Sequence, residues 1–315
     1  MATNGRRGEF ALIDFIRRRA SASKAVILGI GDDCAILDGS DGPLVITTDL
    51  IVEGVHFEKA VPLRQVGWKA AAVSFSDVAA MGLRPEALLC AAALPEGFSM
   101  RQAEELLLGI NDACAACGVA MAGGDTTSSS GPLTLCTTVT GRGHGLRPVR
   151  RSGAKVGDAI AVTGSLGGSI LGRHLSFRPR IEEGAALNAQ FGVHAMIDVS
   201  DGLSADLNHI LEESGVGAVI EADAVPVSDA ARELSRRSGQ TPLHHALADG
   251  EDFELVFTLD PRDAARLAGH PLSGAPVTII GTVIESGLFL ARGGMREPLR
   301  PEGYEHFRGP RCTPS

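Results

Sequence analysis

Two rhythms of apolar residues alternate along this chain and predict a mixed α/β protein. Short runs rich in Val, Ile and Leu at 25–30 and 44–48 have the length of strands. An Ala-rich stretch from about Val66 to Met81 is long enough for a helix, and a strand is expected at 87–94. Leu106, Leu107, Ile110, Cys114 and Cys117 then recur at helical spacing, which turns both thiols towards a core. Strands are expected at 119–122 and 133–141. Ser128-Ser129-Ser130-Gly131-Pro132 separates these two with turn chemistry, so some antiparallel pairing is expected in this first sheet.

The pattern restarts after a change of composition. Arg142, Arg147, Arg150, Arg151 and Lys155 occur between 142 and 157 with no acidic residue among them. This marks a junction between a first domain, 1–145, and a second, 146–315, as the length of 315 residues also suggests. The second half opens with a strand at 159–163 and the glycine-rich turn Gly164-Ser165-Leu166-Gly167-Gly168. A strand ending near Asp198, a helix at 203–213, a strand at 218–221 and a helix at 229–237 follow. The pattern closes with strands at 253–259, 277–283 and 288–291. The expected fold is a two-domain α/β mixed (α+β) architecture.

With 44% hydrophobic residues the chain can bury a substantial core. Its net charge of −9 argues against a nucleic-acid partner bound along a broad basic face. Glu9 and Asp14 interrupt any signal-peptide core, and no apolar run approaches the roughly 18 residues that span a membrane. A cytoplasmic protein without a membrane partner is expected. Six cysteines lack the spacing of a disulfide framework, and Cys114-Ala-Ala-Cys117 lacks the second pair that a zinc site needs.

Aspartates change this picture. Four apolar, strand-like runs end in acidic loops: Leu28-Gly-Ile-Gly-Asp32-Asp33, Val45-Ile-Thr-Thr-Asp49, Met121-Ala-Gly-Gly-Asp125 and Met196-Ile-Asp198-Val-Ser-Asp201. Any one alone reads as an ordinary turn or helix-cap residue, Asp201 before Gly202 especially. Asp77 is different, because it interrupts an apolar helix whose neighbours Val73, Ser74, Ala80 and Met81 offer no cation. A carboxylate there needs a positive partner or a proton. Convergence of these loops would require divalent ions to quench like charges, and oxygen ligands with Thr47, Thr48 and Thr126 nearby suit Mg2+. Such a cluster would hold nucleotide phosphates through metal ions.

No G-x-x-x-x-G-K-[ST] motif occurs, and none of the four lysines, Lys24, Lys59, Lys69 and Lys155, follows a glycine. The turn Gly164–Gly168 either offers backbone N–H groups to phosphate or simply links two elements. Arg151 either contacts phosphate or belongs to a solvated linker.

An ordered set of short motifs runs from Gly8-Glu9-Phe10 to Gly303-Tyr304-Glu305-His306-Phe307. It comprises Gly29-Ile-Gly-Asp-Asp33, Thr47-Thr-Asp49 with Gly54-Val-His56-Phe57, Ser76-Asp77-Val-Ala-Ala-Met-Gly82 and Gly123-Gly-Asp125-Thr-Thr127. Arg151-Ser-Gly-Ala-Lys-Val-Gly-Asp158, Asp198-Val-Ser-Asp201-Gly-Leu and Gly250-Glu251-Asp252-Phe-Glu-Leu continue it. The set closely resembles the thiamine-monophosphate kinases, relatives of aminoimidazole ribonucleotide and selenophosphate synthetases. The resemblance implies a homodimer paired through N-terminal domains, with ATP as co-substrate and thiamine monophosphate as acceptor. It implies several Mg2+ ions on Asp33, Thr47, Thr48, Asp49, Asp77, Asp125, Asp198 and Asp201, the aspartates of this set being the catalytic residues. It implies nucleotide contacts from Gly124, Asp125, Arg151 and Ser200, and acceptor contacts from His56, Glu251 and Tyr304. From the residues alone, His56 reads equally as a loop histidine and Tyr304 as an anchor for the C-terminal tail.

Two departures stand out. The chain is shorter than the family pattern between Gly168 and Arg173, and Val55 replaces a residue that is commonly polar. A sister synthetase or a catalytically silent nucleotide-binding dimer is the competing expectation. Cys34, inside an acidic loop, reads as a packing residue.

Overall fold

The computed structural model describes residues 9–19, 23–40, 42–267 and 272–304. The first half forms α1 (Glu9–Arg17), β1 (Val26–Leu28), β2 (Ala35–Leu37), β3 (Leu44–Val52), α2 (Leu63–Ala80), β4 (Arg84–Pro95), α3 (Met100–Cys117), β5 (Ala120–Ser129) and β6 (Thr134–Arg142). Its six strands lie in the order β1-β2-β3-β6-β4-β5.

β6 pairs antiparallel with β3 and β4, whereas β5 joins β4 in parallel. The predicted antiparallel pairing is therefore real, but the two strands flanking the Ser/Gly loop are not neighbours, since β4 lies between them. β5 is also longer than its apolar run, so Asp125 lies within a strand rather than after one; Asp49 sits within β3 in the same way. A β-ladder tolerates polar residues wherever one face meets solvent, and the hydrophobic pattern ends before the pairing does.

One face of this sheet packs against α2 and α3 through residues such as Val45, Phe75, Val78, Leu88, Leu135 and Val139. α2 is buried around nearly its whole circumference, as expected for a helix of small apolar residues. Its backbone approaches α3 closely. A Cβ on Gly67 would lie 2.1 Å from the Leu106 carbonyl, and one on Gly109 would lie 2.0 Å from that of Arg64. On α3, Leu106, Ile110 and Cys114 face the core, but Leu107 is exposed, because consecutive helical positions diverge by about 100°. Cys117 is only partly covered.

The second half forms β7 (Ala159–Thr163), α4 (Ile181–Gln190), β8 (Val193–Asp198), α5 (Leu203–Ser214), β9 (Gly217–Glu221), α6 (Asp229–Ser238), α7 (Pro242–Ala248), β10 (Leu255–Leu259), α8 (Pro261–Leu267), β11 (Val277–Ile284), β12 (Leu288–Arg292) and β13 (Met295–Pro298). Seven strands lie in the order β13-β12-β9-β11-β7-β10-β8, with β12 and β9 the parallel pair. Both faces are covered. Ile160 and Val162 of β7 point into one core with Leu203, Leu207 and Ile210 of α5, while Ala159 and Ala161 point into another with Leu187 and Ala264. After Gly168, where a shortened segment is expected from the sequence, the chain forms two single 3-10 turns at Ser169–Leu171 and Arg173–Leu175.

The two sheets meet across α2, which contacts β3 and β6 on one side and α4 and β8 on the other. Among the described residues no helix is long and apolar enough to cross a membrane.

Candidate active site

Three chain segments bring aspartates to one point beside α2. Asp33 comes from the loop between β1 and β2, Asp77 from α2, and Asp198 from the end of β8 in the second unit. Each offers a carboxylate oxygen within 4.8 Å of the others, with Asp33 and Asp198 buried and Asp77 partly so. The sequence placed these three together, and the structure agrees.

Hydroxyls hold the carboxylates in place. Thr47 Oγ1 donates to Asp77 Oδ2 at 2.5 Å, Ser74 Oγ to Asp49 Oδ2 at 2.6 Å, and Ser76 Oγ to Asp198 Oδ2 at 2.6 Å. Ser74 and Ser76 stand about 200° apart around α2, so opposite sides of one helix position the acids of two strands, Asp49 of β3 and Asp198 of β8. Thr48 points the other way, with its hydroxyl 3.1 Å from the Thr137 carbonyl and from Thr138 Oγ1 on the outer side of the sheet.

Crowding shows in the proton affinities. Burial, followed by the charges of Asp49, Asp198 and Asp33, raises Asp77 well above the usual carboxylate range. Burial raises Asp49 as well, despite the Ser74 hydrogen bond. Burial and then Asp33 push Asp198 up to about 7. The only described cation in contact with the cluster is Arg151, whose Nη2 lies 2.9 Å from Asp33 Oδ1. Burial opposes the Arg151 charge, but Asp33 and Asp32 outweigh it. Its backbone N–H also reaches Asp32, whose carboxyl rises to about 7 through burial and then the neighbouring Asp33. Arg151 is thus not a solvated linker residue. The cluster consists of oxygen donors only, carries excess negative charge and has its groups already oriented, so it fits a hard divalent cation.

A second group stands beside it: Asp201, Asp206 and His209 also come within 4.8 Å of one another. Asp201 does not cap α5. The Asp206 side chain instead accepts from the Asp201 and Gly202 N–H groups at 3.0 Å, and burial raises its pKa strongly.

Two cavities flank the acids. One of about 680 Å³ is lined by Gly29, Gly31, Asp32, Thr48, Arg151 and His209. The other, of about 400 Å³, contains Asp49, His56, Ser200, Asp201, Glu251 and Tyr304. The His56 ring accepts from the Val52 N–H at 3.1 Å, and the Tyr304 N–H donates to the Asp201 carbonyl at 3.0 Å. Ser200 presents its carbonyl to the Glu251 N–H at 2.6 Å.

Two expected contributors fall elsewhere. Gly124 and Asp125 lie on β5, exposed at the far edge of the first sheet. The register runs Asp125, Ala91, Cys136, Leu50 across the sheet. Three strand spacings of about 4.8 Å thus put Asp125 roughly 14 Å from the β3 residue beside Asp49. The turn Gly164–Gly168 has no N–H groups to offer at its glycines. Gly167 donates to Asp252 at 2.7 Å, Gly168 to Asp249 at 3.0 Å and Gly164 to the Pro276 carbonyl at 2.9 Å.

Several site residues were not anticipated. Ser74 and Ser76 both precede Asp77 within three residues, and their hydroxyls were available as a signal. Lys69, buried in the same apolar helix, could have been singled out by the argument used for Asp77. Asp32 was named with its acidic loop but not as a site residue, and His174, Asp206 and His209 carried no local signal of their role.

Comparison with known proteins supports these elements. Residues 31–143 match the AIR synthase related protein N-terminal domain, and residues 155–291 match the corresponding C-terminal domain. A thiamine-monophosphate kinase of Rhodopirellula baltica is 41% identical over 309 residues, covering 95% of this chain and 97% of the relative. That of Escherichia coli K12 is 38% identical over 332 aligned positions, covering 96% and 99%. The solved structure of AaThiL complexed with AMPPCP and TMP superposes with a TM-score of 0.84 at 31% identity, covering 97% of this chain and all of that one. The chain belongs to the thiamine-monophosphate kinase family of AIR synthase related proteins.

Proposed function

We propose that this chain is a cytoplasmic enzyme that transfers the γ-phosphoryl group of ATP to thiamine monophosphate, giving thiamine diphosphate. The observation that carries this reading is one acidic cluster between two cavities. AaThiL, a similar protein, is known in complex with AMPPCP and TMP, an ATP analogue and the acceptor. The larger cavity suits the nucleotide, with Arg151 near its phosphates, and the smaller one suits the acceptor, with His56, Ser200, Glu251 and Tyr304 around it.

The acceptor is a phosphate monoester whose second pKa is about 6, so its attacking oxygen is ionised at neutral pH. No general base is needed. The barrier is repulsion between two anions, and phosphoryl transfer is promoted mainly by positioning and charge neutralisation. Asp33, Thr47, Asp49, Asp77, Asp198 and Asp201 are the residues we assign to Mg2+; the Thr48 hydroxyl, turned to the outer side of the sheet, is not among them. When bound, Mg2+ supplies neutralisation of phosphate charge. The chain's own contribution is to hold these oxygens fixed through Thr47, Ser74 and Ser76, and to place the acceptor's cationic ring against Glu251 and the Tyr304 face.

We also infer a homodimer. β5 is an edge strand exposed along its length, and Leu50, Leu89 and Met121 are exposed on this sheet. A second copy covering this side would bring its own Gly124 and Asp125 towards the first copy's site, which one chain cannot complete. In this arrangement the first domain, 1–145, supplies dimer contact and most metal ligands, and the second, 146–315, completes the nucleotide and acceptor pockets.

Purified protein given ATP, Mg2+ and thiamine monophosphate is expected to form thiamine diphosphate, and none when the metal is chelated. ATP consumption without that product would overturn the assignment. Direct in-line transfer predicts inversion at a chiral γ-phosphate; retention would indicate a phosphoenzyme.

A further inference from the structure

The segment 250–254 sends successive side chains to different places. Asp252 accepts from the Gly167 N–H and from Ser169 Oγ. Phe253 stacks on Phe177, with ring centroids 4.0 Å apart. Glu254 is bound by Arg173, Arg180 and Thr163. Glu251 turns towards the smaller cavity with φ 63, a conformation that side-chain-bearing residues rarely adopt.

Its carboxylate does not stand alone there. Lys69 Nζ of α2 donates to Glu251 Oε1 and to the His56 carbonyl at 2.7 Å, and lies 2.9 Å from His174 Nδ1. His174 Nδ1 is 3.0 Å from Glu251 Oε2. Both carboxylate oxygens are therefore engaged, one by the first unit and one by the short 3-10 turn of the second. Burial works against the Glu251 charge, but the His174 hydrogen bond and the Lys69 charge outweigh it and keep its pKa below the usual range.

We propose that Lys69 and His174 are positioning residues for the acceptor: together they fix the Glu251 carboxylate at the cavity wall, where it faces the flat cationic end of the bound molecule. The proposal rests on the acceptor assignment above and extends it to two residues that do not contact phosphate.

Cost argues for a positional role. The Lys69 side chain is fully buried, and burial pulls its pKa down despite Glu251. Buried ion pairs seldom stabilise a fold more than apolar residues of similar size, so this pair is poorly explained as packing. Its place in the helix adds a reason. Lys69 precedes Asp77 by eight residues on α2, about 12 Å along one rigid axis. The helix thereby sets the distance between the anchor for the acceptor's ring and the acids at the phosphoryl end.

The test is steady-state kinetics with both substrates varied. Lys69→Met and His174→Leu are each expected to raise KM for thiamine monophosphate about tenfold or more, with kcat and KM for ATP within about threefold of the parent. His174→Asn keeps an N–H donor near the Nδ1 position and is expected to recover most of the loss. Because Lys69→Met strands a partly buried carboxylate, Lys69→Met/Glu251→Gln is also made; adding His174→Leu to it should raise the acceptor KM no further. Unchanged acceptor KM, equal loss in both KM values and kcat, or an Asn variant no better than Leu would overturn the proposal. Failure of the unmodified protein to make thiamine diphosphate would instead overturn the function on which it rests.

Discussion

Asp77→Asn is expected to lower turnover by about a thousandfold or more while leaving the metal-free protein at least as stable as the parent at pH 8. Ordinary active-site substitutions do not combine these effects. Asp77 is raised well above the usual carboxylate range by burial and by Asp49, Asp198 and Asp33, so its charge opposes folding when no cation is present. Asn keeps an oxygen for the Thr47 hydroxyl, removes the charge, and should add about 1–3 kcal/mol. Thermal melts in chelator, set beside the rate, check both halves. A variant that loses activity and stability together would mean that Asp77 is a structural residue.

The same crowding makes metal-free stability depend on pH. Asp32 and Asp198 release their protons near 3.8 in the unfolded chain and near about 7 in the folded one. Between those values the folded state binds more protons, so the stability these groups lend is complete below the lower value and disappears as pH rises through the upper one. The metal-free protein should melt lower at pH 8 than at pH 6, and millimolar Mg2+ should narrow the gap by binding the folded state.

Asp125→Asn is expected to abolish turnover in a protein that melts within about 0.5 kcal/mol of the parent, because the side chain is exposed and its hydrogen bond is to the adjacent Thr126 N–H. Complementation makes the larger claim testable. If each site combines Asp77 of one copy with Asp125 of the other, a heterodimer of Asp77→Asn and Asp125→Asn chains contains one intact site and one doubly defective site. Co-expressing the two dead variants should then restore about a quarter of the parent activity under random pairing. No recovery, with mixed dimers demonstrated by tagged pull-down, would place Asp125 in its own chain's site or outside any site.

Much of this was written locally in the chain. The strands and helices that carry the site follow from apolar periodicity, and Asp77 stood out because an uncompensated carboxylate in an apolar helix demands a partner. What resisted reading depends on distant pairing. The Lys69–Glu251 contact spans 182 positions, and nothing near either residue announces the other. The order of β4, β5 and β6 resisted for a related reason, since a short turn fixes strand direction but not which strand intervenes. The glycine turn after β7 suggested phosphate binding only while Asp249 and Asp252, more than 80 positions away, were not seen to take its N–H groups. Asp125 was expected among the metal ligands from its acidic loop, but the structure sets it on an exposed outer strand away from the other acids, and only the second copy proposed above would return it to a site.

The account stands or falls on what occupies the space between three acids. Crystals soaked in Mn2+, a scattering stand-in for Mg2+, should show an anomalous peak bonded to the carboxylates of Asp33, Asp77 and Asp198. A map with no peak there, and with those groups still held only by Thr47, Ser76 and Arg151, would contradict it.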